Sequence, residues 1–512
     1  MAHDPDLTYG YEPLSIQDQL FLALERRGTP MHVTATCVFE GGPLIRPDGR
    51  LDLYRLRSHF ASSLTSFPRY RQRLARVPLN GAPVWVDDDR FDLDYHLRYA
   101  RLGERAGSEE SGLKEICGRI MSRELDRTRP LWEAWIVDGF EAERFALITK
   151  VHHALADGVA GVDLLASLLQ PEDGGERAWP RAVPAPRPLQ LLYAEMRRRS
   201  AAPWSTAQSW LPTLIDPASS LRRLADGSRA LWDTLGAGLR RAPASPLNRP
   251  IGPRRRFDWL SMDLRQVKEI KNRLGGTIND VVLATVAGAV RRFLERRGAD
   301  VDDLRALVPV NLRTPSQRCE KGNHVTAWLV DLPMRERDPL RCFSTIRART
   351  EPLRASTRAL EGEVLTAAGM WALQFAGSVL GALRPFNLVV TNVPGPSALL
   401  DLLGSRLDHA YPQVPLFAGQ GLGIALFSYA DKLCWGFNAD YELLPDLESF
   451  PSDITAAFEE LRLCAELLHH ARTQENEASS ATVVDIREVR TAGVSPRVDA
   501  SRDGSSPLVV AL

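Results

Sequence analysis

His152-His153-Ala154-Leu155-Ala156-Asp157-Gly158 is the segment of this chain best equipped for chemistry. Imidazole titrates near neutral pH and is the side chain best matched to proton transfer there. The apolar run Phe145-Ala146-Leu147-Ile148-Thr149 enters it as a strand, and Val159-Ala160-Gly161-Val162 leaves it as the small-residue start of a helix. Consecutive side chains on a strand point to opposite faces, so one imidazole can face a cavity while its neighbour packs. Asp157 and Gly158 can turn back and anchor the loop. A histidine pair alone carries little weight: His469-His470 lacks an Asp-Gly partner and sits on a polar helix end. Packing is therefore the competing reading for the first pair.

The elements that must hold these residues are legible in outline. Ser15 is a good N-cap for the helical pattern around Gln17–Leu24, and Met31–Glu40 alternates as a strand. Helices are predicted over Leu53–Leu64, Leu113–Leu125, Val162–Gln170, Leu264–Leu274, Asn279–Gly298 and Asp453–His469. Strands are predicted at Val84–Val86, Trp132–Asp138, Phe145–His152, Leu307–Leu312, Val325–Leu332, Leu388–Asn392, Leu422–Tyr429 and Leu433–Ala439. Between residues 173 and 256 the texture becomes proline- and arginine-rich, with basic amphipathic segments around Leu191–Arg199, Leu221–Arg229 and Leu231–Arg241. This reads as a crossover between an N-terminal domain (1–172) and a C-terminal one (257–472), followed by a polar, disordered tail (473–512). The basic segments suit either an anionic lipid surface or a solvated protein face.

Composition narrows the classes. The 512 residues carry 64 basic and 64 acidic side chains, are 44% hydrophobic and 25% charged, and so read as an ordinary globular protein of two or three domains. Zero net charge supplies no field for nucleic acid, which is not expected as a partner. Six cysteines without C-x-x-C spacing suggest neither a disulfide framework nor a zinc site, and reduced thiols of a cytoplasmic protein are the default. The polar start Met1–Tyr11 does not resemble a signal peptide. Val364–Leu383 lacks charge for twenty residues, but its many Gly, Ala and polar residues favour a buried helix over a membrane-surface or spanning one. Nucleophile-elbow, phosphate-loop and H-E-x-x-H motifs are absent from the sequence.

H-H-x-x-x-D-G resembles the active-site signature of coenzyme A-dependent acyltransferases of the chloramphenicol acetyltransferase and condensation-domain type. Further segments narrow the likeness to bacterial wax ester synthase/diacylglycerol acyltransferases. They are Pro13-Leu14-Ser15 with Met31-His32-Val33, Arg129-Pro130-Leu131-Trp132-Glu133, Thr277-Ile278-Asn279-Asp280-Val281, Gly322-Asn323 and Asn392-Val393-Pro394-Gly395-Pro396. They follow the family's order from residue 13 to about 470.

The resemblance implies two α/β domains with mixed sheets, and a channel between them that holds the histidines. It implies transfer of a fatty acyl group from acyl-coenzyme A to diacylglycerol, a long-chain alcohol or both, without a bound cofactor or metal. His153 would be the general base and His152 its packing neighbour. Asp157 would hold the loop through an arginine, Arg71 first and Arg313 second, with Gly158 structural. Asn279 and Asp280 open a helix and are either caps or channel groups, Asn279 placing the carbonyl or acceptor. Pro130, Leu131 and Trp132 would line the channel wall, and Asn392, Pro394 and Gly395 would form a rigid turn near the acyl pocket. Such substrates imply peripheral contact with the inner membrane face or a lipid droplet. Same-fold alternatives are an enzyme with another acceptor or a carrier-protein donor, and a non-catalytic lipid-binding protein.

Overall fold

The computed structural model describes residues 10–79, 81–103, 109–139, 143–155, 168–169, 183–198, 241–299, 303–311, 325–359 and 385–491. Asp157, Gly158, Arg313, Gly322 and Asn323 lie outside these residues, as do Val364–Leu383 and two of the basic segments of the crossover.

Among the described residues three sheets organise the chain. A small one has the order β1 (Tyr11–Pro13), β4 (Pro83–Asp87), β3 (Gln72–Arg76). The sheet that carries the histidines includes β2 (His32–Glu40), β5 (Leu97–Arg101), β6 (Trp132–Asp138) and β7 (Arg144–His152). It is completed by β12 (Asp401–Leu402) and β13 (Ser405–Gln413), in the order β12-β13-β2-β7-β6-β5. The third comprises β8 (Arg255–Asp263), β9 (Leu304–Asn311), β10 (Val325–Leu332), β11 (Leu388–Pro394), β14 (Leu422–Tyr429) and β15 (Lys432–Asp440). Its order is β10-β9-β11-β14-β15-β8.

Phe145–Ile148 of β7 form a continuous apolar run, as suits a central strand with both faces covered. Its Phe145 and Leu147 enter one core with Cys37, Phe39, Tyr70 and Trp132. Ala146 and Ile148 enter another, with Val38, Val137, Phe257 and Trp259. The third sheet packs on the helices Ile278–Arg296 and Phe450–Thr491 through Val281, Val286, Val290, Phe293, Phe450 and Ile454.

Three expectations need correction. β13 belongs to the C-terminal part of the sequence yet pairs with β2, so a division at 257 does not follow sheet membership. Pro412 and the bulge between Leu407 and His409 interrupt the alternation that would have marked this strand. The helix Pro339–Ala359 was not expected because Pro352 sits inside it. The last helix runs to Thr491, through the start of the expected tail. From 473 to 491 there is no Gly or Pro to stop it, and polarity disfavours burial rather than helix.

The crossover strand β13 lies tightly against β15: a Cβ on Gly436 would fall 1.8 Å from the Pro412 carbonyl oxygen. Gly436→Ala must push backbone from backbone, so we expect a loss of about 1–3 kcal/mol or more. A lowered Tm in a circular dichroism melt checks this; an unchanged Tm would mean that the contact is looser than described.

Candidate active site

The His motif is built by strand pairing. β2 and β7 are antiparallel with His32 opposite His152. At the end of β7 the His152 N–H donates to the Leu131 carbonyl (2.9 Å) and the His153 N–H to the Met31 carbonyl (2.7 Å). The turn closes through the Leu155 N–H to the His152 carbonyl (2.8 Å) and the Ala154 N–H to His152 Nδ1 (3.0 Å).

The two imidazoles have different surroundings, His152 at the last position of β7 and His153 in the turn that follows. His152 is 1% exposed, edge-on to His32 with ring centroids 5.7 Å apart. Because its Nδ1 accepts from Ala154, its proton belongs on Nε2. His153 keeps accessible surface while being closely surrounded by protein. Its ring stacks on Phe21 at 3.7 Å and 17°. Nδ1 is enclosed without a hydrogen-bond partner among the described residues, and Nε2 is not among the enclosed unpartnered atoms. Burial pushes the His153 pKa down to about 4; its own backbone carbonyl opposes the shift and His152 adds to it. The ring is therefore a neutral, proton-accepting imidazole at neutral pH.

Behind the pair stands Glu25, just past the helix Ile16–Leu24. Its carboxylate is 3.4 Å from His152 Nε2 and 3.6 Å from His32 Nε2, and it pairs with Arg127. Burial alone would raise its pKa, but the bonds from His152 and Arg127 outweigh this and hold it down to about 2. Neither Glu25 nor Phe21 was singled out in the sequence. The only local trace is their spacing of four, which puts both on one side of a helix.

The other expected residues divide. Asn279, on the first turn of Ile278–Arg296, accepts a 2.9 Å bond on Oδ1 from Asn392 Nδ2 at the end of β11. Asn392 Oδ1 is enclosed and has no partner among the described residues. Gly395 is required by close approach, since a Cβ there would lie 2.2 Å from the Ser428 carbonyl oxygen; Pro394 is exposed beside it. Asp280 is a correction. It is 0% exposed and closes a capping box with Thr277. It also accepts from Thr350 (2.6 Å) and Arg354 (2.9 Å), so it folds the helix end instead of lining a channel.

Pro130, Leu131 and Trp132 are likewise buried packing groups. Trp132 stacks on His96 at 4.6 Å and donates Nε1–H to the Tyr70 carbonyl at 2.7 Å. Arg71 closes a short 3-10 turn, Pro68–Arg71, and its carbonyl accepts the Asp88 N–H at 2.9 Å. Among the described residues no group of histidine, cysteine and carboxylate side chains could hold a metal. Nor is any helix there long and apolar enough to cross a membrane.

Comparison with known proteins gives the family of the chain. The model for the wax ester synthase/diacylglycerol acyltransferase catalytic domain matches residues 14–282, and that for the family's C-terminal domain matches 321–462. The chain belongs to the wax ester synthase/diacylglycerol acyltransferase family. It is 34% identical to a Mycobacterium tuberculosis protein provisionally named a diacylglycerol O-acyltransferase, over 89% of this chain and 91% of that one. A second such protein from that organism is 32% identical, over 85% and 92%. Among solved structures, the wax ester synthase/diacylglycerol acyltransferase from Marinobacter aquaeolei VT8 superposes with a TM-score of 0.65. It is 26% identical, over 89% of this chain and 100% of that one. The first condensation domain of the calcium-dependent antibiotic synthetase shares the fold, with a TM-score of 0.51 and 17% identity over 90% and 96%.

If His153 accepts a proton during turnover, its depressed pKa sets the acid limit of activity. The protonated ring cannot act as a base, so kcat/KM should stay nearly flat across neutral pH and fall through about pH 4. An acid limb near about 6.5, the ordinary histidine value, would show that the ring is solvated during catalysis.

Proposed function

We propose that this family member transfers the acyl group of a long-chain acyl-coenzyme A to the hydroxyl of diacylglycerol, of a long-chain alcohol, or of both. His153 Nε2 takes the hydroxyl proton as the oxygen attacks the thioester carbonyl. The carbon–sulfur bond then breaks, and the proton passes from the imidazolium to the departing thiolate. No acyl-enzyme is called for, because the deprotonated hydroxyl attacks the thioester directly, and passage from thioester to oxygen ester is downhill without energy from a cofactor. The observation that carries this reading is the neutral, partly accessible His153 ring with Nδ1 enclosed, and the reading assigns Nε2 to the substrate hydroxyl. Asn279 and Asn392 are assigned to placing the carbonyl or the acceptor. Here the Asn392 Oδ1 would take a hydroxyl donor that the described residues do not supply.

The reading treats 1–172 and 257–472 as the two acyltransferase units flanking a substrate channel, with β13 of the second crossing into the sheet of the first and 173–256 as the crossover. A general base of this kind contributes roughly 10²–10⁴ in rate. His153→Ala should therefore lose about two to four orders of magnitude of thiol release from palmitoyl-coenzyme A. Dioleoylglycerol and hexadecanol offered together, with products separated by thin-layer chromatography, identify the acceptor. A His153→Ala protein with full activity would sink the reading. Activity only with a carrier-protein thioester would point to the condensation-type donor instead.

Both substrates partition into lipid, so the protein is assigned to the cytoplasmic membrane face or a lipid droplet. The crossover helix at 188–198 supports this, since Leu189, Tyr193 and Met196 are 79, 69 and 63% exposed on it, beside Arg197 and Arg198. Replacing all three apolar residues with Ser should weaken flotation with anionic phosphatidylglycerol vesicles. Unchanged flotation would move the lipid contact elsewhere.

A further inference from the structure

We propose that Glu25 is a positioning residue for His153, acting through His152 on one side and Met31 on the other. The proposal rests on the reading of His153 as the base. The geometry comes from one helix end. Glu25 Oε1 accepts the Met31 N–H at 3.3 Å, and the Met31 carbonyl in turn accepts the His153 N–H at 2.7 Å. Glu25 Oε2 faces His152 Nε2 at 3.4 Å, while His152 Nδ1 accepts the N–H of Ala154, the residue after His153. The peptide units on both sides of His153 are thus tied to one carboxylate. One turn earlier on the same helix, Phe21 carries the His153 ring at 3.7 Å. A single rigid element therefore sets both the backbone and the ring plane of the base.

The charge matters, not only the shape. The Ala154 bond requires His152 to be protonated on Nε2 and bare on Nδ1. A carboxylate opposite Nε2 favours that tautomer, as an acceptor behind a catalytic imidazole does elsewhere. A carboxamide there can present its N–H₂ to Nε2 and favour the other tautomer. That would aim Nδ1–H at the Ala154 N–H and open the turn. Arg127, its side chain 46% exposed, keeps the buried carboxylate ionised from the solvent side.

The test uses Glu25→Gln in the full chain. A base displaced by a fraction of an ångström should lower kcat about 10–100-fold. The KM for palmitoyl-coenzyme A should stay within about twofold, because substrate binding is not touched. In protein with ¹⁵N-labelled histidine, assigned by loss of signal in His152→Asn, the imidazole signals should shift from the Nε2–H tautomer to a mixture. That signal is read without substrate. It therefore tests the positioning even if the wild-type protein makes no ester, an outcome that would overturn the acyltransferase reading alone. The two substitutions should also be non-additive: in a His152→Asn background, Glu25→Gln should cost less than about threefold further. Wild-type kcat in Glu25→Gln, an unchanged tautomer, or fully multiplying losses would each overturn the proposal. Should Glu25→Gln fail to fold, Glu25→Asp keeps the charge but withdraws it. It should still lower kcat several-fold, and wild-type kcat there would likewise refute the role.

Discussion

The register of β2 against β7 is the constraint on which the His motif depends. It sets His32 across from His152 and brings the Met31 carbonyl to the His153 N–H. A slip of one residue would turn each side chain to the opposite face. His152 would then leave Glu25, and His153 would lose both its backbone anchor and its Phe21 platform. The register is fixed because alternate residues enter different cores. Cys37, Phe39, Phe145 and Leu147 fill one, and Val38, Ala146 and Ile148 fill the other. Neither set can exchange with the other without exposing apolar area and leaving voids.

One of those cores is shared with the C-terminal part of the chain, which contributes Phe257, Trp259, Tyr411 and Cys434. Trp259 stacks on Tyr411 at 4.8 Å, with the Lys114 ammonium 4.9 Å from the indole. Arg255 reaches across as well, its N–H donating to Ser122 Oγ at 2.8 Å and its guanidinium to the Gly28 carbonyl at 2.7 Å. Together with β13 in the histidine sheet, these contacts make the two parts interdependent. His153 follows a strand of one sheet, while Asn279 and Asn392 stand on a helix and a strand packed in the other part, so under the proposed reading their mutual placement is only as good as this seam. Packed cores resist small displacements, which suits a site assembled from both sides.

The sequence disclosed what is local. β7, Leu53–Leu64, Leu264–Leu274, Val325–Leu332 and Leu422–Tyr429 announce themselves by periodicity and by their capping residues. The His motif was legible because its chemistry is compressed into seven residues. Non-local partners were not. β13 meets β2 across more than 360 residues, as the Ser405–Gly41 bond illustrates. Its Asp408-His409 bulge also lacks a strand's alternation. Glu25, in Leu24-Glu25-Arg26-Arg27, reads as one charge of a solvated helix end. Only the fold reveals that two imidazoles, Arg127 and a backbone N–H converge on it. Pro352 hid a helix for the opposite reason, a strong local signal overridden by packing along its length.

Both sequence motifs place a folding residue directly beside a residue open to chemistry, and backbone geometry explains why. On β7 successive side chains diverge by about 180°. His152, the last residue of that strand, is thereby spent on Glu25 and the turn, while His153 follows in the turn and stacks on Phe21. On the helix Ile278–Arg296 successive residues diverge by about 100°. Asp280 turns inward to Thr277, Thr350 and Arg354, and Asn279 turns toward Asn392. In each pair the inward residue is held by more partners than its neighbour, as the burial of polar groups favours. The outward residue retains an unspent polar atom, directly at His153 and through Asn392 at Asn279. Adjacent positions can therefore carry opposite tasks, and the buried member fixes the direction in which its neighbour points.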